Sequence, residues 1–89
     1  MAAYRLSIRQ SAVRELDRVS PRRHRIRIVT RIQELATEPR PNGSEKLVGG
    51  TRLYRVRQGN YRIVYAIDDH ARSVDIVKIG HRRDVYRDA

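Results

Sequence analysis

Cysteine is absent from this chain, which excludes disulfides and thiolate metal sites and fits a reducing compartment. Glycine is sparse, and no glycine-rich loop precedes a Lys-Ser/Thr pair, so a P-loop is excluded. The three histidines are scattered without acidic partners at ligand spacing, and the expectation is no metal and no cofactor. No serine has a histidine and an acid arranged around it as a nucleophile would need. Long apolar runs are also missing. Met1–Gln10 is interrupted by arginines, and it is read as neither a signal peptide nor a membrane span. The expectation is a cytoplasmic protein that does not engage membranes. Lysine is scarce, with only Lys46 and Lys78.

Arginine is abundant. Twenty basic residues stand against ten acidic ones, a formal net charge of +10. Guanidinium forks bind phosphate bidentately, so the bias favours nucleic acid or an acidic protein partner. GC-rich coding sequence is the competing explanation. With 89 residues, the chain has the size of one small domain, spanning residues 1–89.

Tyr4–Ile8 alternates apolar and polar residues, predicting a first strand with Tyr4, Leu6 and Ile8 inward. Ser11 is the expected N-cap of a short helix from Ala12 to Arg18. Ser20-Pro21 starts a second helix, predicted from Pro21 to Thr37, with Ile28, Ile32 and Leu35, together with Val29 and Ala36, on its apolar stripe. Arg22, Arg23, Arg27, Arg31 and Glu34 are assigned to its remaining surface, with His24 among them. Pro39 ends that helix by disfavouring helical geometry at Glu38. Glu45–Val48 reads as a short edge strand. The last strand runs from Ser73 to Ile79, where Gly80 breaks it. The predicted class is α+β: an N-terminal strand and a two-helix hairpin packed on a mainly antiparallel, four- or five-stranded sheet, with a short C-terminal tail or helix.

The most informative stretch is Arg52–Tyr65. Two alternating runs flank Gly59-Asn60, a tight-hairpin signal. A two-residue loop there pairs Arg57 with Arg62, Val56 with Ile63 and Tyr54 with Tyr65. Tyr54, Val56, Ile63 and Tyr65 then share one face and Arg55, Arg57 and Arg62 the other. Sliding the loop by one residue pairs Arg55 with Arg62 and leaves the faces unchanged. Like charges facing each other across a sheet repel. The arginine face supports two readings, an anion site or a solvated polar face of an antiparallel sheet. If the last strand pairs back on Tyr61–Ile67, Lys78 falls near Arg62. The tail adds His81, Arg82, Arg83 and Tyr86. Such groups suit metal-free RNA cleavage: guanidiniums stabilise the extra charge on phosphate, and a histidine or a tyrosine takes the 2′-hydroxyl proton.

Four motifs carry a resemblance: Lys46–Gly49, Leu53–Arg57, Gly59–Tyr65 and Gly80–Tyr86. In this order and spacing they resemble the RelE branch of the RelE/ParE toxin superfamily, and the likeness spans nearly the whole chain. The resemblance implies the toxin of a type II toxin–antitoxin pair, an endoribonuclease that cuts messenger RNA in the ribosomal A site and is neutralised by a cognate antitoxin. It also implies a hetero-oligomer with the antitoxin that binds operator DNA. The family's hairpin-strand pair falls on Arg55 and Arg57, and its second-strand arginine on Arg62. The arginine after the last strand falls on Arg82, or on Arg83 one residue later, and the C-terminal tyrosine on Tyr86. Arg62, Arg82, Tyr86 and His81 are the candidate catalytic residues. Arg55, Arg57, Lys78 and Arg83 are candidates for binding RNA phosphates. Lysines are common in relatives at the hairpin pair. Arginine stays charged, so the general base is Tyr86 or His81. Two other readings remain: a ParE-like protein that inhibits DNA gyrase without catalysis, and a degenerate member acting only as a DNA-binding corepressor with its antitoxin.

Overall fold

In a computed structural model, which describes residues 3–48 and 52–81, the chain forms a first strand β1 (Arg5–Ile8), two helices α1 (Gln10–Asp17) and α2 (Arg22–Thr37), and four further strands. These are β2 (Glu45–Lys46), β3 (Leu53–Gln58), β4 (Tyr61–Asp68) and β5 (Ser73–His81). They form one five-stranded sheet ordered β1-β5-β4-β3-β2. β1 runs parallel to β5, and the remaining pairs are antiparallel. The α+β class is as the residue pattern indicated.

Both helix starts differ from expectation. The Arg9 N–H still donates to the Ile76 carbonyl at 2.9 Å, holding the chain to the sheet until α1 begins. The helix therefore opens at Gln10 with Arg9 as its N-cap, and Ser11 lies inside the first turn. Pro21 is extended at ψ 172° and is itself the N-cap of α2, so neither helix has a side-chain cap. The end of α2 follows the pre-proline rule, with Glu38 at φ −136°, ψ 91°. Ile28, Ile32 and Leu35 are buried as the periodicity required, and Ala12 and Val19 join them, whereas Val29 of the same expected stripe is 37% exposed, at the margin of the buried face.

The hairpin has the register read from Gly59-Asn60, with Gln58 opposite Tyr61, Arg57 opposite Arg62 and Val56 opposite Ile63. Gly59 sits at φ 61° while Asn60 has no positive φ, the pattern of a type II′ turn. Val56, Ile63 and Tyr65 are fully buried against the helices, with Ile67, Val74, Ile76 and Ile79. Ile76 and Ile79 are three apart yet both belong to this core. A register shift at Val64/Tyr65 makes that possible, because Val64 pairs with Lys78 and Tyr65 with Ile76.

Two strand expectations need correction. Gly80 does not end β5, which continues to His81, because Gly80 and His81 pair with Arg62 and Tyr61 and so remain in the ladder. Leu6 and Ile8 are 38% and 37% exposed, since β1 is an edge strand that the helices cover incompletely. Tyr4 precedes β1, packs on the core margin and donates its hydroxyl to Asp69 at 2.7 Å.

Two contacts tie the loop after α2 to the sheet. The buried Tyr65 hydroxyl donates to the Pro39 carbonyl at 2.6 Å, and burial pushes its pKa up to about 12. Arg40 clamps the Asp69 carboxylate with both terminal nitrogens, at 3.2 and 2.8 Å, while its Nε donates to the Tyr54 hydroxyl. Hydrogen bonds from Arg40 and then Tyr4 lower the Asp69 pKa to about 2.

Candidate functional site

Because Tyr54 and Val56 face the core, strand alternation sends Arg55 and Arg57 away from the core. Arg62 joins them from β4, directly opposite Arg57. Their placement follows from the hairpin alone. The floor does not: Val64, opposite Arg55, is only 6% exposed although it lies on this face.

These arginines line one groove of about 660 Å³ together with Arg31, Asn42, Gly43, Glu45 and Gly59. That volume lies within the range of small-molecule and nucleotide sites. Arg55 is largely buried and pairs with the Glu45 carboxylate at 3.3 Å, because β2 places Glu45 directly across from it. Arg57 remains exposed, with its Nε donating to the Gly59 carbonyl at 3.3 Å. Four guanidiniums thus face one carboxylate. Arginine keeps its charge across the biological pH range, so the groove holds a fixed positive field whose planar donors match phosphate oxygens.

Arg31 and Glu45 were not anticipated here. The sequence pattern puts Arg31 on the outer surface of α2, yet it lies three residues after Ile28 and four before Leu35, on the flank of the buried stripe. That spacing was the available signal. Nothing comparable announced Glu45, since the register of a two-residue strand is decided by its neighbours.

Two predicted residues are elsewhere. Lys78 stands across from Val64, one diagonal step from Arg62, and its ammonium donates to Glu15 of α1 at 3.1 Å. The same carboxylate accepts the Ile79 N–H at 2.9 Å where β5 extends past β1. Lys78 therefore serves the helix–sheet junction rather than the basic groove, because Glu15 offers a fixed carboxylate nearby. His81 pairs with Tyr61, on the side of the sheet that carries the helices. Its ring meets the Tyr61 ring edge-on at 5.8 Å, and His24 approaches the same tyrosine at 6.1 Å. His24 is accordingly half-buried rather than an ordinary surface residue. Arg82, Arg83 and Tyr86 lie outside the described residues.

Comparison with known proteins gives a consistent result. The family model described as the ParE toxin of the type II toxin–antitoxin system parDE matches residues 6–86. Toxin RelG of Mycobacterium tuberculosis is 31% identical over 86 residues, covering 94% of this chain and 97% of RelG. Toxin RelE of the same organism is 33% identical over 89 residues, covering 94% of this chain and 87% of that protein. The toxin in the archaeal RelE–RelB complex of Pyrococcus horikoshii superposes with a TM-score of 0.80 at 30% identity, covering 90% of this chain and 96% of that one. An arginine-bearing hairpin in this fold, matched over nearly its full length by such relatives, places the chain in the RelE/ParE family of toxins from type II toxin–antitoxin systems.

Proposed function

We propose that this protein cleaves messenger RNA in the ribosomal A site and is silenced by a cognate antitoxin. The observation that carries the reading is the convergence of Arg55, Arg57 and Arg62 on one groove. The reaction joins the ribose 2′-oxygen to phosphorus and breaks the bond from phosphorus to the 5′-oxygen, leaving a 2′,3′-cyclic phosphate on the upstream fragment. A base removes the 2′-hydroxyl proton, and the departing oxygen gains a proton. Arg55 and Arg57 orient the RNA, while Arg62 stabilises the charge that builds on phosphate, without a metal or other cofactor. Arg82 is assigned, with Arg62, to the charge that builds on phosphate, and Arg83 to holding RNA phosphate. The position of His81 against Tyr61 weighs toward Tyr86 as the base.

The site of action would be cytoplasmic ribosomes, which supply the codon geometry that free RNA lacks. The partner would be an antitoxin of the RelB kind, since RelE of Pyrococcus horikoshii is found in a complex with RelB. Toxin and antitoxin together would form the hetero-oligomer that binds operator DNA.

Toeprinting on translating ribosomes tests the proposal, with cuts in the A site as the expected outcome. Arg62→Ala should reduce single-turnover cleavage by about 10²–10³-fold, the usual loss for one preorganised charge-stabilising donor. Tyr86→Phe should relieve growth arrest as Arg62→Ala does, with antitoxin binding retained in both. The matching family model is named for ParE, which favours a second reading, inhibition of DNA gyrase. Full toxicity in both variants, with intact message and trapped gyrase–DNA complexes, would establish that reading instead.

A further inference from the structure

We infer that Arg31 of α2 is an additional RNA-binding residue, whose guanidinium takes a backbone phosphate next to the one held by Arg55, Arg57 and Arg62. The inference rests on the RNA-directed reading of the groove and extends it to a helix that carries none of the residues assigned above. Arg31 lines the same groove as the hairpin arginines. Its side chain is only 24% exposed, and its Nε is buried with no hydrogen bond among the described residues. Its ion pair with Glu34 spans 3.6 Å, and Glu34 is itself 61% exposed. A charge-assisted N–H···O bond is normally 2.7–2.9 Å, so Glu34 leaves much of the donor capacity of Arg31 unused. A guanidinium held in a groove by its own packing, with donors to spare and three other guanidiniums nearby, is preorganised for an anion. Successive phosphates on one strand are the anions that would satisfy several arginines at once.

The probe is a fluorescein-labelled single-stranded RNA with 2′-O-methyl riboses, which cannot be cut by 2′-hydroxyl attack. Fluorescence anisotropy with the full-length toxin gives its affinity across a salt series. Arg31→Ala should weaken binding about tenfold, the loss of one charge-assisted contact. It should also make the slope of log K against log salt shallower by about 0.7, as for one single-strand phosphate contact. Arg31→Lys should keep the wild-type slope, and the exposed control Arg23→Ala should change neither quantity. If Arg31→Ala has a lowered unfolding midpoint, the comparison of Arg31→Lys with Arg31→Gln decides. Wild-type affinity and slope in Arg31→Ala would overturn the inference. So would a wild-type protein that does not bind the probe, or Ala and Lys variants equally weak with an unchanged slope, the mark of a purely structural role. Toeprinting judges the nuclease reading separately. A wild-type protein that cuts nothing yet shows the Arg31-dependent slope would sink that reading and leave the phosphate site standing.

Discussion

Tyr65 shows what one buried polar atom contributes. Its ring lies in the core, and its hydroxyl answers the Pro39 carbonyl 26 residues earlier in the chain. Tyr65→Phe keeps the ring and leaves that carbonyl unanswered. Urea unfolding should show a loss of about 1–2 kcal/mol with an unchanged m-value. Asp69 is the acid-sensitive counterpart. Hydrogen bonds from Arg40 and Tyr4 depress its pKa to about 2, below the usual 3.8 of a free aspartate. A carboxyl with a depressed native pKa adds stability above its unfolded pKa and loses it as pH falls through the native value. The contribution should therefore be complete above pH 5 and vanish between about pH 4 and pH 2. Thermal melts of Asp69→Asn should lack that segment of the wild-type pH dependence.

At the scale of elements, the end of β5 is the informative case. β1 pairs only with Ser73–Ile76, so the edge of β5 continues beyond it. Glu15 covers part of that edge by accepting the Ile79 N–H and the Lys78 ammonium. Open strand edges invite pairing with other chains, and a carboxylate from a neighbouring helix closes this one. Glu15→Ala should cost about 1–2 kcal/mol by leaving a part-buried N–H without its acceptor. Hydrogen exchange at the Ile79 amide should accelerate more than exchange at Ile63, in the middle of the sheet. The hairpin needs no such help, because its turn chemistry and its apolar alternation demand the same register.

At the scale of the whole molecule, the net charge of +10 is the dominant property. No described helix is long and apolar enough to cross a membrane. A surface this basic accelerates encounter with an acidic partner, and salt screens the acceleration. The association rate with the cognate antitoxin should fall at least about tenfold between 50 mM and 500 mM salt in stopped-flow measurements, with a smaller change in dissociation rate. A rate indifferent to salt would mean that apolar contacts alone guide the encounter.

Local chemistry was enough for much of this protein. Gly59-Asn60 located the hairpin, and the period-two alternation around it placed Arg55, Arg57 and Arg62 on one face in either of the two registers the turn allows, because side-chain direction in a strand is set by position alone; the sheet itself shows Arg57 opposite Arg62. Pro39 likewise determined where α2 ends, and the 3.6-residue period determined which of its isoleucines are buried. Tertiary structure decided everything that depends on elements far apart in the chain. It brought Glu45 opposite Arg55, carried Arg31 into the groove, drew Lys78 to Glu15 and turned His81 toward Tyr61 on the opposite side of the sheet. Those outcomes depend on which strands become neighbours and where the β5 register slips, and such choices minimise the energy of the whole packed layer rather than of any window of sequence.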